Sequence, residues 1–233
     1  MAEPRLDPPR SMPTYAVRAP LVRWLAVEAE RAHEDLDRYR VLDVGCGEKP
    51  YASLFSPYAS SYVGVDPVEN PHADLRGSVE ALPVEDASFD IVLCNQVLEH
   101  CDDPAQAVRE LRRVTAAGGR VLASTHGVMA YHPSPTDYWR WTHAGLEKLF
   151  SDNGDWTSVR VTPASGTTAC LGMIASLYLD LAFRRIRLGA LARPLVAGIN
   201  RAAAAIDARS ARLREPGPGT LHANYHVVAE VPA

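Results

Sequence analysis

The run Val41-Leu42-Asp43-Val44-Gly45-Cys46-Gly47 carries a mostly apolar stretch into a Gly-x-Gly turn. A buried strand that ends in glycines lets the backbone come close to a ligand and leaves amides free to bind it. Lys49 follows without the Gly-Lys-Ser/Thr context that would set a lysine and a hydroxyl on phosphate and magnesium. Glu48-Lys49-Pro50-Tyr51 supplies no third glycine, so the full dinucleotide fingerprint is missing and a pyrophosphate cofactor is disfavoured. Asp66 ends the next apolar run, Ser61 to Asp66, where a carboxylate can accept both hydroxyls of an adenosine ribose. Taken singly, the glycines read equally as a tight turn and Asp66 as an ordinary loop acid. In tandem they point to an adenosine ligand without phosphates.

Proton-handling candidates follow a later apolar run, Gly119 to Thr125. His126 comes directly after it, and His132 and Asp137 lie in the aromatic, turn-rich stretch Tyr131 to Trp141. A neutral imidazole near pH 7 suits general-base work, although a loop histidine is commonly just solvated or hydrogen-bonded. His100 stands at a helix start, where its position alone suggests a structural part. Tyr131, Tyr138, Trp139 and Trp141 suit either the wall of a substrate pocket or a packed cover on the core.

The elements that position these residues can be read from periodicity. Ala19 to Tyr39 spaces Leu21, Val22, Leu25, Ala29, Ala32 and Leu36 as an amphipathic helix. Residues 40–44, 61–66, 89–95 and 119–125 read as buried strands. Asp103-Pro104 caps a helix with Ala107, Val108, Leu111 and Val114 on one face. Past the aromatic stretch come a capped helix over 142–150, an alternating strand over 156–162, two helices over 168–187 and 190–213, and a closing strand over 223–231. Strands alternating with helices imply an α/β fold: a doubly wound, Rossmann-like, seven-stranded and mostly parallel sheet with helices on both faces. Five parallel strands in order, a terminal hairpin-like pair and a helical insertion before the last strand are expected. The whole chain, 1–233, reads as a single domain, with a flexible leader over 1–17 and the insertion over 168–215.

The segments VLDVGCGEKPY, YVGVDP, VEALPVEDASFDIVLCNQVLEH and LRRVTAAGGRVLAST resemble, in order and spacing, the class I S-adenosylmethionine-dependent methyltransferases of the type 11 kind. The resemblance covers about residues 38–126. It implies that Asp43 and the Gly45-Cys46-Gly47 turn face the methionine part of S-adenosylmethionine and that Asp66, followed by Pro67, binds the ribose. Ser78, Val79 and Glu80 would border the adenine, while Asn95 and Gln96, with Leu98, Glu99 and His100, would close the pocket behind the sulfonium. Ser78 stands where many relatives carry an aspartate for the adenine amino group; either Asp74 substitutes or that contact is absent. HPSPTDYWRWT is also similar to a segment of methyltransferases encoded among cell-surface polysaccharide and glycolipid biosynthesis enzymes. From their place in and before this aromatic loop, Tyr131, Tyr138, Trp139 and Arg140 are assigned to the acceptor, and His126, His132 and Asp137 to proton removal. The expectation is methyl transfer to an oxygen or nitrogen of a small molecule, sugar or lipid-linked glycan. A nicotinamide-dependent oxidoreductase and a catalytically silent adenosine-binding subunit are the alternatives.

Composition sets bounds on partners and compartment. The chain has 233 residues, 47% hydrophobic and 22% charged, ordinary for a globular domain. Cys46, Cys94, Cys101 and Cys170 form neither a CxxC pair nor a disulfide ladder, so a reducing, cytoplasmic setting and no metal are expected. The first fifteen residues lack the apolar core of a signal peptide, and the apolar run 169–179 is short for a membrane span. Formal charge is −4, yet residues 180–215 hold eight arginines against three acids, which leaves −9 on the remainder. A basic amphipathic pair within 170–213 suits peripheral contact with the inner membrane face or a homodimer. Nucleic acid is disfavoured by the acidic remainder.

Overall fold

The computed structural model describes residues 5–233; part of the expected leader, 1–4, lies outside them. Helix α1 (Tyr15–Leu36) begins within the rest of that leader, and Met12, Ala16 and Val17 are buried. Then follow β1 (Tyr39–Val44), the single turn α2 (Ala52–Phe55), β2 (Ala59–Asp66), β3 (Leu75–Arg76) and β4 (Phe89–Asn95). A 3₁₀ turn over Leu98–His100 leads to α3 (Pro104–Val114), β5 (Thr115–His126), α4 (His143–Asp152) and β6 (Ser158–Pro163). The insertion is α5 (Thr167–Arg185), α6 (Gly189–Ala208) and the short α7 (Ala211–Arg214), before β7 (Asn224–Glu230).

One seven-stranded sheet has the order β3-β2-β1-β4-β5-β7-β6. Its first five strands pair in parallel, while β7 runs antiparallel to both β5 and β6. The five do not lie in chain order: the sheet grows outward in both directions from β1 and β4, the arrangement that opens a crevice at the carboxyl ends where the order reverses. Alternation along the central strands sends their side chains into two cores. Leu42, Val92 and Val121 pack with Val108 and Leu111 of α3 and with Phe150 of α4; Val41, Ile91 and Leu122 pack with Leu21 and Leu25 of α1 and Phe55 of α2. Both faces are therefore covered, as near-continuous apolar strands require.

Local signals explain most boundaries. Asp103 accepts the Gln106 amide at 3.0 Å and Pro104 opens α3; Thr142 accepts the Gly145 amide at 3.0 Å and opens α4. Several elements differ from the sequence reading: α1 covers Tyr15–Leu36 rather than 19–39, the helix expected over 190–213 is split into α6 and α7, and α2 is additional. β5 starts at Thr115, not at Gly119, because a register irregularity against β4, with Gly118 at φ 71°, lets the strand pass through Ala116-Ala117-Gly118-Gly119. β3 is only two exposed residues long, too short for any periodicity.

Candidate functional site

The glycine turn sits at the carboxyl end of β1, in the crevice. Gly45 and Gly47 are in the left-handed region, at φ 68° and 50°. A Cβ on Gly45 would come within 2.4 Å of Val97 Cγ2, whereas one on Gly47 would meet nothing within 4 Å, so the turn is tight on one side and open on the other. Asp66, at the end of β2, clasps it. Its Oδ2 accepts the Gly47 amide at 3.0 Å and the Asn70 side chain at 3.3 Å, and its Oδ1 accepts the Val68 amide at 3.2 Å.

Three cavities meet here. One of about 550 Å³ is lined by Asp43, Gly45, Cys46, Gly47, Asn95 and Gln96, with Arg5, Glu48, Pro50 and Tyr51. A second, of about 710 Å³, is bounded by Asp66, Pro67, Gly77, Ser78, Val79 and Glu80 and closed by Val97, His100, Cys101 and Asp102. Gly45 and Gln96 belong to both. Twelve of the residues assigned to the cofactor from the sequence thus lie along these two connected spaces, whereas Leu98 is buried in the core and Glu99 lines a third cavity. Asp74 does not substitute for an acid at Ser78: it is held by Lys49 at 2.5 Å and by the Gly64 amide at 2.7 Å, and it does not line the cavity. Asp43 is fully buried; the loss of water pushes its carboxyl up to about 6, against the hydrogen bond from the Tyr62 hydroxyl at 2.7 Å, which favours the charged form. The Asn95 side-chain nitrogen is buried without a partner, and the Asn95 oxygen accepts from the Ser124 hydroxyl at 2.9 Å.

The third cavity, about 580 Å³, touches the first through Arg5, Tyr51 and Gln96. Its walls are Thr14 just before α1, Val17, Arg18 and Leu21 of α1, Leu177 of α5, the loop from Met129 to Ser134, and Glu99, His100 and His126. Gln96 borders all three spaces from a left-handed backbone, φ 59°, sparsely populated for a non-glycine residue. It is held there by its amide and side-chain nitrogens, which donate to the Ser124 carbonyl and hydroxyl at 2.8 and 3.0 Å.

The three histidines of this cavity differ in what their nitrogens do. His126, buried, accepts from the Asn224 side-chain nitrogen at its Nδ1, 3.4 Å away, which leaves its proton on Nε2, 3.3 Å from Glu99 Oε1. Burial, chiefly, drives its pKa down to about 3, so it is neutral with no lone pair left for a substrate. In His100, Nδ1 lies 2.9 Å from the Thr136 carbonyl, which can only accept; the proton is therefore on Nδ1, and Nε2 keeps its lone pair. Burial lowers the His100 pKa as well. The His132 ring lies 5.1 Å from that of His100 and 6.1 Å from that of His126.

Other expected acceptor residues are placed elsewhere. Asp137 forms a two-pronged ion pair with Arg140, which holds its carboxyl down at about 2 and makes it a poor base. Neither residue lines a cavity described above. Trp139 donates its indole N–H to the Cys101 carbonyl at 2.7 Å and stacks on Trp141, and Tyr138 is exposed, so these aromatics cover the loop. Tyr131 does line the third cavity.

Glu99 was noted in the sequence only as a pocket closure. It is wholly buried, one oxygen accepts from the Thr125 hydroxyl at 2.8 Å, and burial pushes its carboxyl up to about 7. A carboxyl whose folded pKa is raised stabilises the fold while protonated, fully below its unfolded value, and that contribution fades as pH rises through 7. Glu99→Gln keeps the protonated shape at every pH. Relative to the native chain it is expected to gain about 2 kcal/mol of stability between pH 5 and pH 8, read by urea unfolding at both values. An equal difference at the two pH values would show that Glu99 titrates normally.

Residues 42–123 match the methyltransferase domain family of type 11. The chain is 38% identical over 104 residues to an uncharacterised methyltransferase, YcgJ, of Bacillus subtilis, covering 38% of this chain and 41% of that one. It is 41% identical over 96 residues to a malonyl-[acyl-carrier protein] O-methyltransferase of Erwinia pyrifoliae, 37% of each. The chain spans about two fifths of the length of the curated relatives it matches. The crystal structure of YcgJ superposes with a TM-score of 0.53 at 20% identity, over 91% of this chain and 99% of that one. Residues 42–123 are thus similar to the methyltransferase domain of type 11, and the chain as a whole shares the fold of YcgJ.

Proposed function

We propose that this chain transfers a methyl group from S-adenosylmethionine to an oxygen or nitrogen of a small-molecule, sugar or lipid-linked glycan acceptor. The observation that carries the reading is the junction at Gln96: a connected pair of cavities with Asp66 at one end and the glycine turn at the other opens onto a third cavity lined by histidines. The donors and acceptors fit the cofactor. Asp66 would face the ribose hydroxyls, Val79 would offer an apolar edge to the adenine, and the orphaned Asn95 nitrogen would serve the methionine end. When bound, S-adenosylmethionine supplies an electrophilic methyl on a sulfonium.

The protein's work is then alignment, exclusion of water and proton removal. Thr14, Val17 and Leu21 at the start of α1 and Leu177 of α5 line the acceptor space. His100, which borders both the cofactor and acceptor spaces, presents Nε2 to accept the proton of a hydroxyl or ammonium. His126 and Glu99 form the buried pair beneath the acceptor. A nicotinamide site is disfavoured by the short α2: the glycine turn does not lead into a long helix whose N-terminus could hold a pyrophosphate.

The test is calorimetry with S-adenosylhomocysteine and, separately, with the oxidised nicotinamide dinucleotide. Affinity of about 1 μM, near −8 kcal/mol, is expected for the first and no heat for the second. The reverse pattern would overturn the reading. Transfer of labelled methyl from S-adenosylmethionine to extracted metabolites or lipids separates an enzyme from a silent binding subunit.

A further inference from the structure

The apolar stripe that closes the α5–α6 hairpin is not covered by the rest of the chain. Cys170, Met173, Ala192 and Val196 are buried within or beneath the hairpin, but toward its tip Leu181, Ile186, Leu188, Leu191 and Leu195 face outward, with Ile186 62% and Leu191 56% exposed. Between residues 181 and 195 the only charged side chains are Arg184, Arg185, Arg187 and Arg193, with Asp180 beside them paired to Arg184 at 2.6 Å. Large exposed aliphatics clustered this closely mark an interaction surface. Their arginine neighbours set its sign, in a chain whose remainder is acidic.

We propose that this tip docks onto an anionic lipid surface, the aliphatics entering the interface and the arginines meeting lipid headgroups. No helix among the described residues is long and apolar enough to cross a membrane, so the contact is interfacial. The same helix reaches the acceptor space. Leu177 is in its wall, and α5 runs eight residues further to Arg185, about 12 Å at 1.5 Å per residue. A tip resting on a bilayer holds that cavity within about 12 Å of the lipid surface. An acceptor carried by a lipid is thereby delivered to His100; this consequence rests on the methyl-transfer reading, whereas the docking does not.

Co-sedimentation of the full chain, without cofactor, with vesicles of phosphatidylcholine alone or mixed with phosphatidylglycerol tests the docking. Binding is expected on the mixed vesicles only and is expected to fall with salt, since headgroup charges are screened over about 8 Å at physiological ionic strength. The triple variant Arg185→Gln, Arg187→Gln, Arg193→Gln should bind about a hundredfold more weakly, each arginine contributing roughly fivefold. The variant Ile186→Ser, Leu188→Ser, Leu191→Ser should also lose binding while unfolding at the native temperature, because these side chains are exposed. Absence of native binding to the mixed vesicles overturns the proposal. So does a solution dimer, seen by sedimentation velocity, that the serine variant converts to monomer. Because no cofactor or acceptor is present, the outcome is independent of whether the chain transfers methyl groups.

Discussion

Replacing His100 with glutamine is expected to lower methyl-transfer turnover about a hundredfold or more, the usual worth of a positioned general base, with S-adenosylhomocysteine affinity little changed. The Thr136 carbonyl fixes the imidazole proton on Nδ1 and leaves Nε2 to accept. Burial holds the His100 pKa below the ordinary imidazole value, so its lone pair survives further into acid. The native rate should therefore persist below pH 6.5, about the ordinary histidine pKa, and decline only under more acidic conditions; that limb should vanish in the variant. His126→Gln is expected to cost less, because both nitrogens of His126 already face Asn224 and Glu99. Retention of turnover and of the acid limb in His100→Gln would show that the proton leaves by another route.

Asp66→Ala is expected to weaken S-adenosylhomocysteine binding by about 2–3 kcal/mol, the loss of a charge-assisted pair of hydrogen bonds. The carboxylate also anchors the Gly47 and Val68 amides and the Asn70 side chain, so the alanine variant loosens the turn that approaches the ligand. Asp66→Asn separates the two effects: it keeps an acceptor for the Gly47 amide and gives up the charge. Both variants are to be titrated by calorimetry at a temperature where thermal unfolding shows them folded. Unchanged affinity in the alanine variant would remove Asp66 from the ribose assignment.

Much of the architecture was written in short-range signals. Apolar runs ending in Gly45 or Asp66, the Asp103-Pro104 start and the Thr142 cap each state an element and its end within a few residues. The grouping of residues along the crevice was legible for the same reason: strand ends at a switch point fall together whatever the loops do. The third cavity was not. It is assembled from α1, α5, the end of β5 and the loop from Met129 to Ser134, and sequence spacing does not reveal that Asn224 meets His126 or that Leu177 and Arg18 line one cavity. The aromatic loop misled for a related reason. Asp137 and Arg140, three residues apart, satisfy each other, and Trp139 spends its only donor on Cys101, so polar groups that read as free in the chain are consumed at home. Glu99 carried no signal beyond its type; its buried neighbours make it unusual.

The order of strands also governs when the site can come into being as the chain folds. β6 pairs only with β7, and β7 lies between β6 and β5, so after β6 is made it has no sheet neighbour and β5 presents an open edge. Insertion of β7 is a late, long-range step of the kind that slows folding and leaves strand edges exposed to wrong partners. The same strand carries Asn224, which reaches both Gln96 and His126. A folding intermediate lacking β7 would thus retain the glycine turn and Asp66 yet lack the Asn224 contacts to Gln96 and His126, so the two sides of the crevice would be completed at different times: the glycine turn first, the backing of Gln96 and His126 only once β7 has inserted.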